Sequence, residues 1–270
     1  MKIRSPYLVK PHDKVRLSRA HTQPPASFDG KNKTATEAVL QKHRSKVDEL
    51  QEVLYASQKK ALLIVLQGMD TAGKDGTIRH IFSGINPQGC SVAAFKVPTP
   101  LEAAHDFLWR VHAQVPRLGM IGIFNRSHYE DVLAPRVHKL ITEETVRERL
   151  EDINEFEETL ADNNVVILKF FLHISHAEQG RRLQARLDDK DKQWKVEDGD
   201  FRERKFWKQY TSAYEEVLER TSHKHAPWFV VPADNKNYRN VVISEILVDA
   251  LSGLKLAYPR PHFDPKVAKV

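Results

Sequence analysis

The chain has 270 residues, of which 41% are hydrophobic, with 42 Lys and Arg against 36 Asp and Glu, a formal net charge of +6 and a sequence pI near 9.2. That length can bury the core of one large α/β domain. No apolar run reaches the roughly 20 residues of a membrane span, and the N-terminus lacks the apolar segment of a signal peptide, so a cytoplasmic location is expected. The single Cys90 excludes an internal disulfide and is expected as a small buried hydrophobe at a strand edge. The positive charge favours a polyanionic partner.

In chain order, residues 1–33 form a basic arm: Lys2, Arg4, Lys10, Lys14, Arg16 and Arg19 stand against Asp13, and Pro6 and Pro11 break regular structure. An extended arm over the body or a neighbouring subunit and a solvated tail both fit this composition. Leu40, Val47, Leu50 and Leu54 then recur at helical spacing between about Thr34 and Gln58. Strand-like apolar runs follow at Ala61–Leu66, Ser91–Lys96, Met120–Phe124, Val165–Leu172 and Trp228–Val231, alternating with helical patterns near 74–86, 101–114, 142–162, 175–187, 201–221 and 239–254. This alternation predicts a parallel five-stranded sheet covered on both faces, with a ligand site at the C-terminal ends of the strands. The main domain is expected over 34–258 and a tail over 259–270.

Three segments carry chemistry. The first, Gly68-Met69-Asp70-Thr71-Ala72-Gly73-Lys74-Asp75-Gly76-Thr77, sits between the first strand and a helix. Glycines there let backbone N–H groups turn around phosphate oxygens, the helix N-terminus adds partial positive charge, and Lys74 can reach a phosphate. The P-loop pattern is broken where Asp75 replaces the hydroxyl residue that normally ligates magnesium. Two carboxylates beside a polyanion imply divalent cations between them, so Mg2+ on carboxylates is expected, with Asp70 first.

The second segment, Asn125-Arg126-Ser127-His128-Tyr129-Glu130-Asp131, follows the third strand. Arg126 there can stabilise charge on transferred phosphate, while Ser127 or Asp131 alternatively caps the next helix. The third runs from Arg181 to Trp207, is rich in Arg and Lys and nearly free of aliphatics after Leu187. It reads as a mobile lid, or as a solvated hairpin laced with ion pairs. Arg182 and Arg186 share a helix face four residues apart. Trp194 and Trp207 read as lid anchors or base-stacking platforms. His173 and His176 have no third ligand, so zinc is not expected.

Together the three segments resemble the polyphosphate kinase 2 family over about residues 34–258. The resemblance implies a P-loop kinase fold of the thymidylate-kinase-like type: three layers, a helical lid over about 181–207, Mg2+ dependence and a homo-oligomer, dimer or tetramer. It implies reversible transfer of a terminal phosphate between inorganic polyphosphate and a nucleotide. It further makes Lys74 the phosphate-loop lysine, Asp70 a metal-binding or acceptor-activating acid, Arg126 and Arg186 phosphate clamps, and Asp131 the second metal acid. Polyphosphate is expected along Gly73, Lys74, Asp75, Gly76, Thr77, Arg79, Arg182 and Arg186, and the nucleotide, adenine with guanine as the alternative, at Asn125, Arg126, His128, Tyr129 and Glu130. Asn125, where many members have aspartate, resembles the subclass that accepts AMP as well as ADP. The competing readings are a nucleoside monophosphate kinase using ATP, which needs a second base pocket, and a basic nucleic-acid-binding module. The latter expects aromatics interleaved with basic residues on a strand surface, whereas these strands are apolar runs suited to burial.

Overall fold

A computed structural model describes residues 3–30 and 32–261. Its centre is β2 (Ala61–Gln67), in which every residue is buried. An unbroken Leu, Ile and Val run of this kind is stable only with both faces covered, each buried side chain contributing about 1.5–3 kcal/mol. It pairs in parallel with β4 (Ile121–Asn125) on one side and β5 (Val165–His173) on the other. Beyond these lie β3 (Cys90–Ala94) and β6 (Trp228–Pro232), also parallel.

A sixth strand, β1 (Leu8–Val9), completes the order β1-β6-β5-β2-β4-β3, so the five-strand expectation is short by one. It is antiparallel and comes from the basic arm, with Leu8 opposite Phe229 and Val9 opposite Trp228. Two residues between prolines give no strand signal in the sequence; their partner supplies the conformation. The arm lies on the body beyond this point. Val15 and Leu17 are buried, and their backbone N–H groups donate to Glu219 at 2.9 Å and Glu215 at 2.8 Å.

One face of the sheet carries α1 (Lys33–Ser57), α2 (Lys74–Ile81) and α10 (Lys236–Gly253); the other carries α5 (Glu130–Val137), α6 (Glu143–Asp162) and α9 (Trp207–Thr221). Side-chain caps fix several helix starts: Asn32 accepts from Ala35 N, Thr142 from Thr145 N and Asn235 from Tyr238 N. The helix expected over 101–114 is instead two single turns, α3 (Pro100–Ala103) and α4 (Trp109–His112). Asp106 accepts from the Leu108 N–H and restarts the chain there. The pattern at 201–221 is likewise split into α8 (Asp198–Arg204) and α9, and the one at 74–86 stops at Ile81.

Helix α5 carries Pro135 inside it, which hides it from periodicity. Proline offers no N–H to the carbonyl four residues back. That carbonyl, on Asp131, is taken instead by Arg149 Nη1 at 2.5 Å. Among the described residues no helix is long and apolar enough to cross a membrane.

Candidate active site

The strand order reverses at β2, because the chain leaves it for β3 at the far edge, and the crevice of such a sheet opens there. Residues 68–73 fill that position. Gly68 takes φ +151°, where a Cβ would lie 2.8 Å from the Leu172 carbonyl, and Gly73, the N-cap of α2, takes φ +102°. Lys74 follows, 9% exposed, with Nζ donating to the Gly68 carbonyl at 2.7 Å. Burial, with Arg126 adding repulsion, draws its ammonium down to about 8.

The second loop arrives beside the first because β4 is hydrogen-bonded to β2, Asn125 lying opposite Leu66. Arg126 adopts φ +63° and bridges two acids: Nη2 donates to Asp70 Oδ1 at 2.9 Å, and Nη1 lies 3.6 Å from Glu130 Oε2. Burial raises the Glu130 carboxyl, and Arg126 and Lys74 offset this only in part. Asn125 Nδ2 donates to Asp75 Oδ1 at 2.6 Å, so the amide holds the acid that replaces the usual hydroxyl residue.

Asp70, Arg126, Glu130 and Asp131 line a cleft of about 440 Å³ together with Phe95, Trp207, Tyr210 and Tyr214. Asp131 Oδ2 accepts from Arg110 Nη2 at 2.8 Å, and Arg110 Nη1 donates to the Lys96 carbonyl at 2.8 Å. Among the described residues, no three His, Cys, Asp or Glu side chains group as a metal cage.

The structure separates the sequence candidates into three groups. Asp70, Arg126, Glu130 and Asp131 share the cleft, with Lys74, Asp75 and Asn125 at its edge. His128 and Tyr129 do not share it. Both are 0% exposed beneath the second loop, where His128 Nε2 lies 3.2 Å from Glu157 Oε1 and the Tyr129 hydroxyl donates to the same oxygen at 2.8 Å. Both side chains face the apolar layer, where Glu157 and Lys169 meet the Tyr129 hydroxyl and Glu157 meets His128 Nε2, while His128 Nδ1 has no hydrogen-bond partner.

The basic candidates also divide. Arg182, on α7 (His176–Leu187), is tied to the phosphate loop: its guanidinium donates to the carbonyls of Thr71, Ala72, Ala233 and Asp234 at 2.6–3.0 Å. Arg79 is exposed in the last turn of α2, and the Thr77 hydroxyl is occupied by the Gly73 carbonyl at 3.1 Å. Arg186 lies 3.7 Å from Asp200 of α8. Trp207 packs against His176, ring centroids 4.9 Å apart, while Trp194 is 76% exposed. His173 is buried, its Nε2 3.1 Å from the Leu17 carbonyl. Arg110, Phe95, Tyr210 and Arg239 reach the site or its back wall without any signal in the sequence, since each stands alone in a stretch read only for periodicity.

The polyphosphate kinase 2 family model matches residues 30–258. An AMP/ADP-polyphosphate phosphotransferase of Meiothermus ruber is 49% identical over 256 residues, covering 95% of this chain and 96% of that protein. An ADP-polyphosphate phosphotransferase of Rhodopseudomonas palustris is 43% identical, covering 82% and 81% respectively. The crystal structure of polyphosphate kinase 2 from Arthrobacter aurescens TC1 superposes with a TM-score of 0.84 at 40% identity, over 95% of this chain and 96% of that one. With the phosphate loop, the Asp70–Arg126–Glu130 bridge and the match over nearly the whole chain, this protein belongs to the polyphosphate kinase 2 family.

Proposed function

We propose that the protein transfers a terminal phosphoryl group from inorganic polyphosphate to AMP and ADP. The observation that carries this reading is the cleft beside the phosphate loop, lined by Asp70, Arg126 and Glu130. The family's relatives named for AMP and ADP supply the substrate class. The acceptor nucleotide occupies the cleft, its base against Phe95 and Tyr210 and its phosphate towards Arg126 and Arg110. The donor chain lies along the first loop, where a polyanion without a base needs charge and backbone donors more than shape.

Transfer of a phosphoryl group asks the protein for position and electrostatics more than for covalent chemistry. Arg126, already fixed between Asp70 and Glu130, presents its fork where charge spreads over equatorial oxygens. Lys74 leaves the Gly68 carbonyl for a phosphate oxygen. Asp70 orients the attacking acceptor oxygen. Mg2+ fits the acids present: it keeps several waters and takes one or two carboxylates plus phosphate oxygens. Asp70 and Asp131 would hold it, since among the described residues each has one oxygen outside its arginine pair. When bound it supplies neutralisation of charge between donor and acceptor phosphates. The segment beyond Leu187 closes over the site as a lid, and the chain acts in the cytoplasm as a homo-oligomer.

The deciding experiment measures initial rates with AMP, ADP, GMP and GDP as acceptors, polyphosphate as donor and Mg2+ present, with ATP tested separately. ATP and ADP should form from polyphosphate. Turnover with ATP and AMP but none with polyphosphate would establish the monophosphate-kinase alternative instead.

A further inference from the structure

Arg239 stands on the first turn of α10, outside every motif, yet its guanidinium reaches the phosphate loop from behind. Nη1 donates to the Ala72 carbonyl at 3.1 Å, where Arg182 Nη1 also donates at 3.0 Å. Both Nε and Nη2 of Arg239 are held by Asn240 Oδ1, at 3.1 and 2.9 Å. A Cβ on Gly73 would sit 2.1 Å from Arg239 Nη1. Because that guanidinium is 1% exposed and pinned at all three nitrogens, it has nowhere to yield. Gly73 is therefore required by its neighbour as well as by its own backbone angle.

The peptide unit is planar and trans, so a carbonyl held rearward aims the N–H of the next residue the opposite way. Holding Ala72 O from behind thus points Gly73 N–H to the front of the loop, where an anion binds. Charge acts in the same direction. Arg239 has only neutral hydrogen-bond partners among the described residues, Arg182 is its close neighbour, and Lys236 adds a third cation. Glu178, paired with Arg182 at 2.6 Å, is shared with Arg181. A buried charge facing neutral partners is costly to the free protein, and a polyanion on the other side of the loop compensates it.

We propose that Arg239 is a positioning residue for the donor polyanion: it fixes the peptide that aims Gly73 N–H forward and sets an unneutralised positive charge behind the loop. This rests on the reading of the loop as the polyphosphate site. The test uses the full chain, with Arg239→Gln and Arg239→Lys. Tripolyphosphate and long-chain polyphosphate binding are measured by calorimetry across a salt series, and amide hydrogen exchange at residues 68–76 is measured without ligand.

Arg239→Gln should weaken polyphosphate binding about tenfold at low salt and reduce the slope of log K against log salt by about 0.7–0.9, the loss of one charge. Arg239→Lys should restore the slope but leave loop exchange fast, because it lacks the fork. Equal slopes in wild type and Arg239→Gln, or unchanged exchange at Gly73 in both variants, overturn the proposal. A residue that only stabilises the fold would lower the melting temperature and leave the slope alone. Should the glutamine variant not fold, exchange in the lysine variant decides. Absence of polyphosphate binding by the wild type overturns the donor reading itself and is seen before any variant is made.

Discussion

Two clusters built from the same residue types sit about one loop apart, one in the cleft and one beneath it. In the lower cluster Lys169 Nζ donates to Glu157, to the Tyr129 hydroxyl at 2.9 Å and to the Thr221 carbonyl at 2.6 Å, and all the side chains are fully buried. Burial alone would raise the Glu157 carboxyl, but Lys169 and the hydrogen bonds from His128 and Lys169 hold it below its ordinary value. In the upper cluster the balance reverses: burial raises Glu130, and Lys74 finds backbone carbonyls in place of a carboxylate. Apart from His128 Nδ1, the lower cluster's polar atoms are met by protein groups. The upper cluster faces the cleft, and on the proposed reading it is the machinery and the lower one the scaffold.

The largest expected effect comes from breaking the lower cluster. Lys169→Met leaves the buried Glu157 without its cation, and should cost about 3–5 kcal/mol of unfolding free energy by chemical denaturation. The surviving folded protein should keep turnover within a few-fold at low temperature. A loss below about 1 kcal/mol, the size of an exposed pair, would mean the cluster is not scaffold.

Breaking the upper cluster should do the reverse. Lys74→Ala and Asp70→Asn should each reduce turnover about 10²–10³-fold while the denaturation midpoint holds. Near-normal turnover at saturating Mg2+ would remove Asp70 and Lys74 from the machinery.

Acidity gives a third contrast. Lys74 is drawn from 10.5 to about 8, so between these values the unfolded chain binds more protons at this position than the folded one. The folded state gains stability from this group as pH rises across that window, while its charge, needed for phosphate, is lost. The value of kcat/KM for polyphosphate, which reports free-enzyme ionisations, should therefore fall above about pH 8. A profile flat to pH 9.5 would show that a charged Lys74 is not required.

A smaller effect should separate acceptors. Asn125→Asp turns a hydrogen bond to Asp75 into two facing carboxylates and adds repulsion near a deeply placed phosphate. AMP turnover should drop by a larger factor than ADP turnover, read from initial rates at fixed polyphosphate. An unchanged ratio would remove Asn125 from acceptor choice.

The smallest concerns the lid. Residues 188–197 are mostly exposed around the 3₁₀ turn Gln193–Lys195, whereas α7 is tied to the loop by Arg182. Hydrogen exchange should slow in 188–197 when polyphosphate and nucleotide bind, with α7 unaffected. Equal change in both segments would restore the wider lid boundary of 181–207.

How much of this was legible follows from what kind of signal each part leaves. The parallel strands were readable because burial on both faces writes continuous apolar runs, and the first loop because glycine and lysine follow such a run. The direction of His128 and Tyr129 was not, since it depends on a helix whose Pro135 masks its period and whose freed carbonyl is met by Arg149, far along the chain. The contacts of Arg182 were not legible for a related reason. Helical spacing pairs it with Arg186, but which face meets the loop is set by packing against Ala233 and Thr71. Arg239 left no trace because its link to the phosphate loop is a backbone carbonyl, which any residue supplies.

The pairing of Leu8 with Phe229 also orders events in time. During synthesis the arm leaves the ribosome long before β6 exists, so its apolar residues have no partner strand while the earlier strands are made. The pairing can form only once β6 is present, and it closes an edge that would otherwise be open to strands from other chains.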